Sequence, residues 1–323
     1  LAALAAAGHT PRALVRDPAK LDAVCALHGL EPVDHVRGDV TDGDAAQSLL
    51  ADADAVIHIA AVAATHRSMN DLIRRTNEPA ARNVLTRAAD LGLDPIVHVS
   101  STAAIHPPTG EAYRDDSPLS AEPLGVYAES KVASERIARE LQEEGHPVVI
   151  VWPSGINGPD DIGLSVGASG MARLLASGTL PASRTGGMLI HDVRDLALVL
   201  ARTVEPGRGP RRYGVFGHYF SWPDMAELVR EVSGAPLRSP EVPPWLLRGV
   251  GKLGDLLGRL GVAFPLDGAA AEYMVSTAPG DDATTRADLD VTWRPAAETL
   301  ADTLRWLIAN GHLGADKAPA LAP

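Results

Sequence analysis

Short, wholly apolar runs alternate in the first half of the chain with longer segments of helical period. Residues 55–60, 96–100 and 147–152 are nearly continuous in Val, Ile and Ala. Such runs suit strands buried on both faces, as in a parallel sheet. Residues 11–16 and 33–40 read as two further strands. Helical period appears at 21–27, 45–50, 70–91 and 126–144, where Ile137 and Leu141 share a stripe. Pro79 is expected to break the start of the third of these helices. The alternation predicts an α/β fold, a doubly wound parallel sheet covered by helices on both faces. Right-handed crossovers then gather ligands at the carboxyl ends of the strands. Residues 1–7 read as the last turns of a helix, closed by Gly8.

After Pro153 the rhythm changes. Gly and Pro become frequent, and the pattern is mostly helical: 171–176, 193–204, 223–232, 245–260, 269–275 and 297–308, with one strand at 212–216. A first lobe over 1–153, joined by about 186–204, is expected to carry a smaller, mostly helical C-terminal lobe from 154–185 and 205–314. Residues 315–323 read as a disordered tail. The helix at 245–260 places Arg248, Lys252, Asp255 and Arg259 on one stripe with leucines opposite. It is read as a cap on the second lobe in preference to a membrane contact.

Composition narrows the classes. Of 323 residues, 46% are hydrophobic and 22% charged, as in an ordinary globular chain. A net charge of −12 opposes nucleic-acid binding, and adsorption to anionic membrane by charge alone. No apolar run is long enough to span a bilayer. The single cysteine, Cys25, excludes an internal disulfide and a cysteine-based zinc site, and a cytoplasmic setting is expected. The histidines contain no metalloprotease spacing, and no metal is expected.

Candidate chemistry centres on Tyr127 and Lys131. At i and i+4 on a helix they share a face, and a nearby ammonium favours the phenolate. The pair is a candidate general acid/base. Its lysine is one of only four (Lys20, Lys131, Lys252, Lys317) among 29 basic residues. The hydroxyl cluster Ser100-Ser101-Thr102 closes the strand at 96–99, where a hydroxyl could polarise a carbonyl.

With these motifs the chain resembles the extended short-chain dehydrogenases/reductases, the NAD-dependent epimerase/dehydratase family. The ordered matches are Arg16-Asp17-Pro18, Gly38-Asp39-Val40, His58-Ile-Ala-Ala61, Asn77 with Asn83-Val-Leu, Val97-His-Val-Ser-Ser-Thr102, Tyr127 to Lys131, and Pro153-Ser-Gly-Ile-Asn-Gly-Pro159. The resemblance runs to about Ala197 and implies a Rossmann fold and hydride transfer with a nicotinamide cofactor. By it Tyr127 exchanges the proton, and Lys131 lowers the Tyr127 pKa and binds the nicotinamide ribose. Thr102, 25 residues before Tyr127, takes the place of the catalytic Ser/Thr, with Ser100 or Ser101 able to share that role. Arg16, Lys20, Asp39, Val40, Ala60, Ala61, Asn77, Ser100, Tyr127, Lys131 and Pro153 are the expected cofactor contacts.

The chain departs from the family at its start. The first strand and the glycine-rich phosphate turn are missing. The chain reads as N-terminally truncated, and a gap is expected between the family's second and fourth strands. Arg16, with Lys20, favours NADP over NAD, while Asp17 opposes that choice. The segment Met188-Leu-Ile-His-Asp-Val-Arg-Asp195 resembles the dihydroflavonol-reductase and 3β-hydroxysteroid-dehydrogenase branches. An apolar ketone, aldehyde or secondary alcohol is therefore the expected small-molecule substrate. A sugar-nucleotide epimerase or dehydratase with retained NAD, using Arg184 on phosphate, is the alternative; an NADP-binding redox sensor is the third. A homodimer is left open.

Overall fold

The computed structural model describes residues 1–64, 67–107, 110–262, 264 and 266–321. Its first half alternates as the apolar pattern predicts. The elements are α1 (Ala2–Ala6), β1 (Arg12–Val15), α2 (Pro18–Leu27), β2 (Asp34–Arg37), α3 (Gly43–Leu50), β3 (Val56–His58), α4 (Asn70–Asp90), β4 (Ile96–Val99), α5 (Gly125–Glu143) and β5 (Val148–Pro153). Asp17 and Asp42 cap α2 and α3 through their side chains. Pro79, expected to break α4, lies inside it and is exposed. The carbonyl that loses its donor therefore faces water, while Ile73, Asn77, Ala80, Ala81 and Val84 bury the other face.

The second half contributes β6 (Gly155–Asn157), α6 (Val166–Ser177), β7 (Ala182–Ser183), β8 (Gly187–Asp192), α7 (Val193–Thr203), β9 (Arg211–Val215), β10 (His218–Ser221), α8 (Trp222–Ser233), β11 (Glu241–Val242), α9 (Pro244–Arg259), α10 (Gly268–Ser276), α11 (Ala283–Asp288) and α12 (Ala296–Ala309). The main sheet is parallel, in the order β3-β4-β5-β9. One face packs on α4 and α5 through Val56, Ile96, Ile150, Val84 and Ile137. The other packs on α7 through Val97, Val149, Val151, Val199 and Leu200. β1 and β2 form a separate parallel pair, and among the described residues no ladder joins β1 to β3. Asn83 of α4 ties that pair to the rest, donating to the carbonyls of Val40 and Asp42 at 2.9 and 3.0 Å.

Three expectations are corrected. β9 was placed in the second lobe, but it extends the main sheet along β5, because Tyr213 and Val215 join the apolar layer under α7. Of residues 186–204, α7 serves the first lobe, and β8 reaches its core only through Leu189. β8 is the middle strand of a smaller sheet, β10-β8-β6, with α6, α8 and α12 packed in the same core. The tail is ordered through residue 321: Ala318 is fully buried in that core and Leu321 packs on it. Ala322 and Pro323 lie outside the described residues.

Candidate active site

The carboxyl ends of the parallel strands carry the predicted residues in order. Arg16 follows β1, Asp39 and Val40 follow β2, Ala60 and Ala61 follow β3, Ser100 to Thr102 follow β4, and Pro153 ends β5. Helix α5 starts with its first turn against α10: a Cβ on Gly125 would stand 3.3 Å from the Ala269 methyl. Tyr127 and Lys131 follow on one face of α5.

Lys131 is buried, and its ammonium donates to the Val99 carbonyl at 3.0 Å. Burial lowers its pKa to about 8, against the pull of Glu135. Tyr127 is partly buried, and its phenol is hydrogen-bonded to Ser101. Burial pushes the phenol up and the Ser101 bond draws it down. These two effects, not the expected lowering by Lys131, set the phenol's direction, so it holds its proton at neutral pH. Ser101 also caps the short turn that contains Thr102, accepting from Ala103. Ser100 is turned away: its hydroxyl donates to Glu135 at 2.6 Å.

Glu135 is the residue that sequence reasoning missed. It is fully buried and accepts from Ser100, from the Trp152 indole at 2.7 Å and from Arg139 at 2.9 and 2.7 Å. One carboxylate thus holds the end of β4, the end of β5 and the charge on Lys131. The signal was present: Tyr127, Lys131, Glu135 and Arg139 recur every four residues along one stripe.

The cofactor-side residues divide. Asn77 is buried; its amide donates to Val62 and Ser130 at 3.1 and 3.0 Å, and its oxygen accepts from the Val62 amide at 2.7 Å. It acts as a brace between α5 and the loop holding Ala60 and Ala61. Asp39 accepts from Thr41, which lowers its pKa, and lies 3.9 Å from Arg16. The Arg16 side chain is 80% exposed, and Lys20 is exposed on α2. Asp17 spends its carboxylate on the Ala19 amide. These residues fit the two ends of a dinucleotide: exposed cation, carboxylate and alanines at one end, and a buried ammonium with one bonded hydrogen at the other.

Further buried polar rings lie near Lys131 and Tyr273. His58 and His98 stack at 5.7 Å in the register pair of β3 and β4. Burial drives the His58 pKa down to about 3 and that of His98 well below its usual value. Both are therefore neutral buried residues, and among the described residues neither ring nitrogen of His98 has a hydrogen-bond partner. His106 is held by Tyr113 and Ser276 and meets the Tyr273 ring edge-on at 4.9 Å. Burial, and then the neighbouring Tyr127 phenol, raise the pKa of Tyr273 on α10.

Comparison with known proteins gives the same picture. The chain is 28% identical over 319 residues, covering 95% of itself and 90% of the relative, to a protein of Synechocystis sp. provisionally named dihydroflavonol 4-reductase. It is 26% identical over 317 residues, covering 96% and 94%, to sterol demethylase protein B of Methylococcus capsulatus. The fold is that of UDP-glucose 4-epimerase from Bifidobacterium longum, solved with NAD+ and UDP. That likeness has a TM-score of 0.72 at 17% identity, covering 96% and 95% of the two chains. A sequence model of the NAD dependent epimerase/dehydratase family matches residues 1–184. The chain belongs to the NAD dependent epimerase/dehydratase family.

Proposed function

We propose that the chain is an oxidoreductase that prefers NADP and moves a hydride between nicotinamide and an apolar ketone, aldehyde or secondary alcohol. The observation that carries this reading is the protonated phenol of Tyr127, bonded to Ser101 one helical turn from a buried ammonium. The nicotinamide, when bound, supplies or accepts the hydride. In reduction, Thr102 and Ser101 hold the carbonyl oxygen, and Tyr127 gives its proton to that oxygen as the alkoxide develops. The bond from Ser101, which draws the phenol's pKa down, supports the phenolate left behind, and the Lys131 ammonium, with one hydrogen on the Val99 carbonyl, would hold the ribose with the others. Oxidation runs the same proton movement backwards.

NADP is favoured because Arg16, 80% exposed and only loosely paired with Asp39 at 3.9 Å, can turn to a 2′-phosphate, while Asp17 is committed to the α2 cap. The apolar substrate class is supported by the names of the two relatives and by Arg184. That arginine, the candidate phosphate partner of a nucleotide sugar, is paired with Glu241.

The test is a panel of apolar ketones followed by NADPH oxidation. Tyr127→Phe is expected to lose about 10²–10⁴-fold in kcat with NADPH affinity nearly unchanged. A Phe variant that keeps most of its kcat, or conversion of a nucleotide sugar without net cofactor use, overturns the reading. Arg16→Ala tests the cofactor separately. A charge-assisted contact contributes roughly 1.5–3 kcal/mol, so the variant should lose about ten- to a hundredfold in NADP affinity and almost nothing for NAD. Equal affinities in the unaltered chain overturn the preference.

A further inference from the structure

Helix α9 does not place its leucines where the sequence suggested. Its buried positions are Leu247, Gly251 and Gly254. The glycines are needed there: a Cβ on Gly251 would lie 2.7 Å from the Ala271 methyl, and one on Gly254 would run into the Leu266 carbonyl. The close approach to α10 leaves the opposite side of α9 outward. Trp245 and Leu260 are each 72% exposed, and Leu246, Leu253 and Leu256 lie between 42 and 52%. At 100° per residue these five fall within an arc of about 100°. Past the helix end Val262 is also half exposed, whereas the Phe264 ring lies against Gly254 on the inner side. A contiguous apolar ridge of this kind marks a contact surface.

Charge says which contact. Lys252 and Arg259 border one side of the ridge, and among the described residues no carboxylate pairs with either. The two acids beside them are engaged, Asp255 by Arg67 at 2.9 Å and Glu272 by Arg248 at 2.7 and 2.8 Å. The border is therefore cationic within a chain of net charge −12. Two copies packed antiparallel, ridge to ridge, would set the cation rows against each other. An anionic, apolar-backed surface complements both features, and an exposed Trp suits the interface between headgroups and acyl chains.

We propose that the outer face of α9 docks in the plane of an anionic phospholipid surface. Trp245, Leu253, Leu256 and Leu260 enter the boundary of the acyl chains, and Lys252 and Arg259 meet the lipid phosphates. This is contact in the plane, not a crossing; among the described residues no helix is long and apolar enough to cross a membrane. The net negative charge makes the apolar ridge indispensable. The docking stands on the α9 surface alone and does not depend on the hydride-transfer reading.

The test is sedimentation of the chain with vesicles of phosphatidylcholine, with and without phosphatidylglycerol, with no substrate or cofactor present. The chain should co-sediment with the phosphatidylglycerol vesicles, and its tryptophan emission should shift to the blue, a shift that Trp245→Phe abolishes. Leu256→Asp should weaken partition by about ten- to a hundredfold. Lys252→Gln and Arg259→Gln should each weaken it about fivefold. Because all these side chains are exposed, melting temperatures should stay near that of the unaltered chain. Should Leu256→Asp lower the melting temperature, Leu256→Asn takes its place. A chain that stays in the supernatant with both vesicle types, or a Leu256 variant that partitions undiminished, overturns the proposal. So does a chain that is dimeric by light scattering and becomes monomeric when Leu256 is altered, which would assign the ridge to a second copy.

Discussion

At the scale of single residues, chemistry is decided by burial. Lys131 carries its charge at neutral pH but loses it as pH rises through about 8. The rate of carbonyl reduction should fall across that same range, and the limb should be missing in Lys131→Met. Stability moves the other way. Between pH about 8 and the ordinary lysine value of 10.5, only the unfolded chain holds the extra proton. This group's contribution to folding therefore grows with pH across that interval. Opposite pH trends in activity and in urea resistance identify a depressed lysine; parallel trends would mean that another group sets the limb. Glu135 opposes the depression, so Glu135→Gln should move the limb to lower pH. Glu135→Ala should cost roughly 3–5 kcal/mol in urea unfolding, as expected when a buried ion pair loses one partner. Tyr127 and Lys131 were legible as a spaced pair. Glu135 lies one step further along the stripe, but nothing in its spacing tells a buried carboxylate from a solvated one.

At the scale of elements, glycines decide which way α9 faces. Gly254 stands against the Leu266 carbonyl, whereas nothing lies within 4 Å of a Cβ built on Gly249. Gly254→Ala is expected to destabilise by about 1–3 kcal/mol through overpacking. Gly249→Ala, on the exposed side of the same helix, should stabilise by about 0.5–1 kcal/mol. Thermal unfolding of the two variants checks both signs, and a destabilised Gly249→Ala would mean that α9 packs the other way round. Periodicity located this helix within two residues of its bounds. It misassigned the inward face because an apolar stripe is normally the buried one. The same limit applied to β9: five residues read as a strand, while its neighbour β5 is set by a register 62 residues away, between Val149 and Arg211.

At the scale of the whole molecule, the parallel strands β1 to β5 and β9 stand as two sheets, and the connection between them is narrow. The β1–β2 pair is bound through α3 against α4 and through the Asn83 amide. Asn83→Leu should leave the Val40 carbonyl without its donor, at about 1–3 kcal/mol, while the Asp42 carbonyl keeps the Ala46 amide at 3.1 Å. Amide hydrogen exchange should then quicken in residues 12–15 and 34–37 and stay unchanged in β4 and β5. Uniform acceleration through all six strands would show that the sheets open as one unit.

Taken alone, the sequence determined the strand and helix alternation, the ordered row of residues at the strand ends, and the Tyr127–Lys131 face. Each of these is local, set by a period of two or 3.6 residues or by a short spacing along one element. Tertiary structure decided everything that depends on a distant partner. It brought Ser101, rather than Ser100, to the phenol and made Asn77 a brace. It also engaged Arg184 with Glu241 and turned the leucines of α9 outward. Those outcomes are settled by which neighbour reaches a side chain first and how closely two backbones approach, and neither is a periodic property of a linear chain.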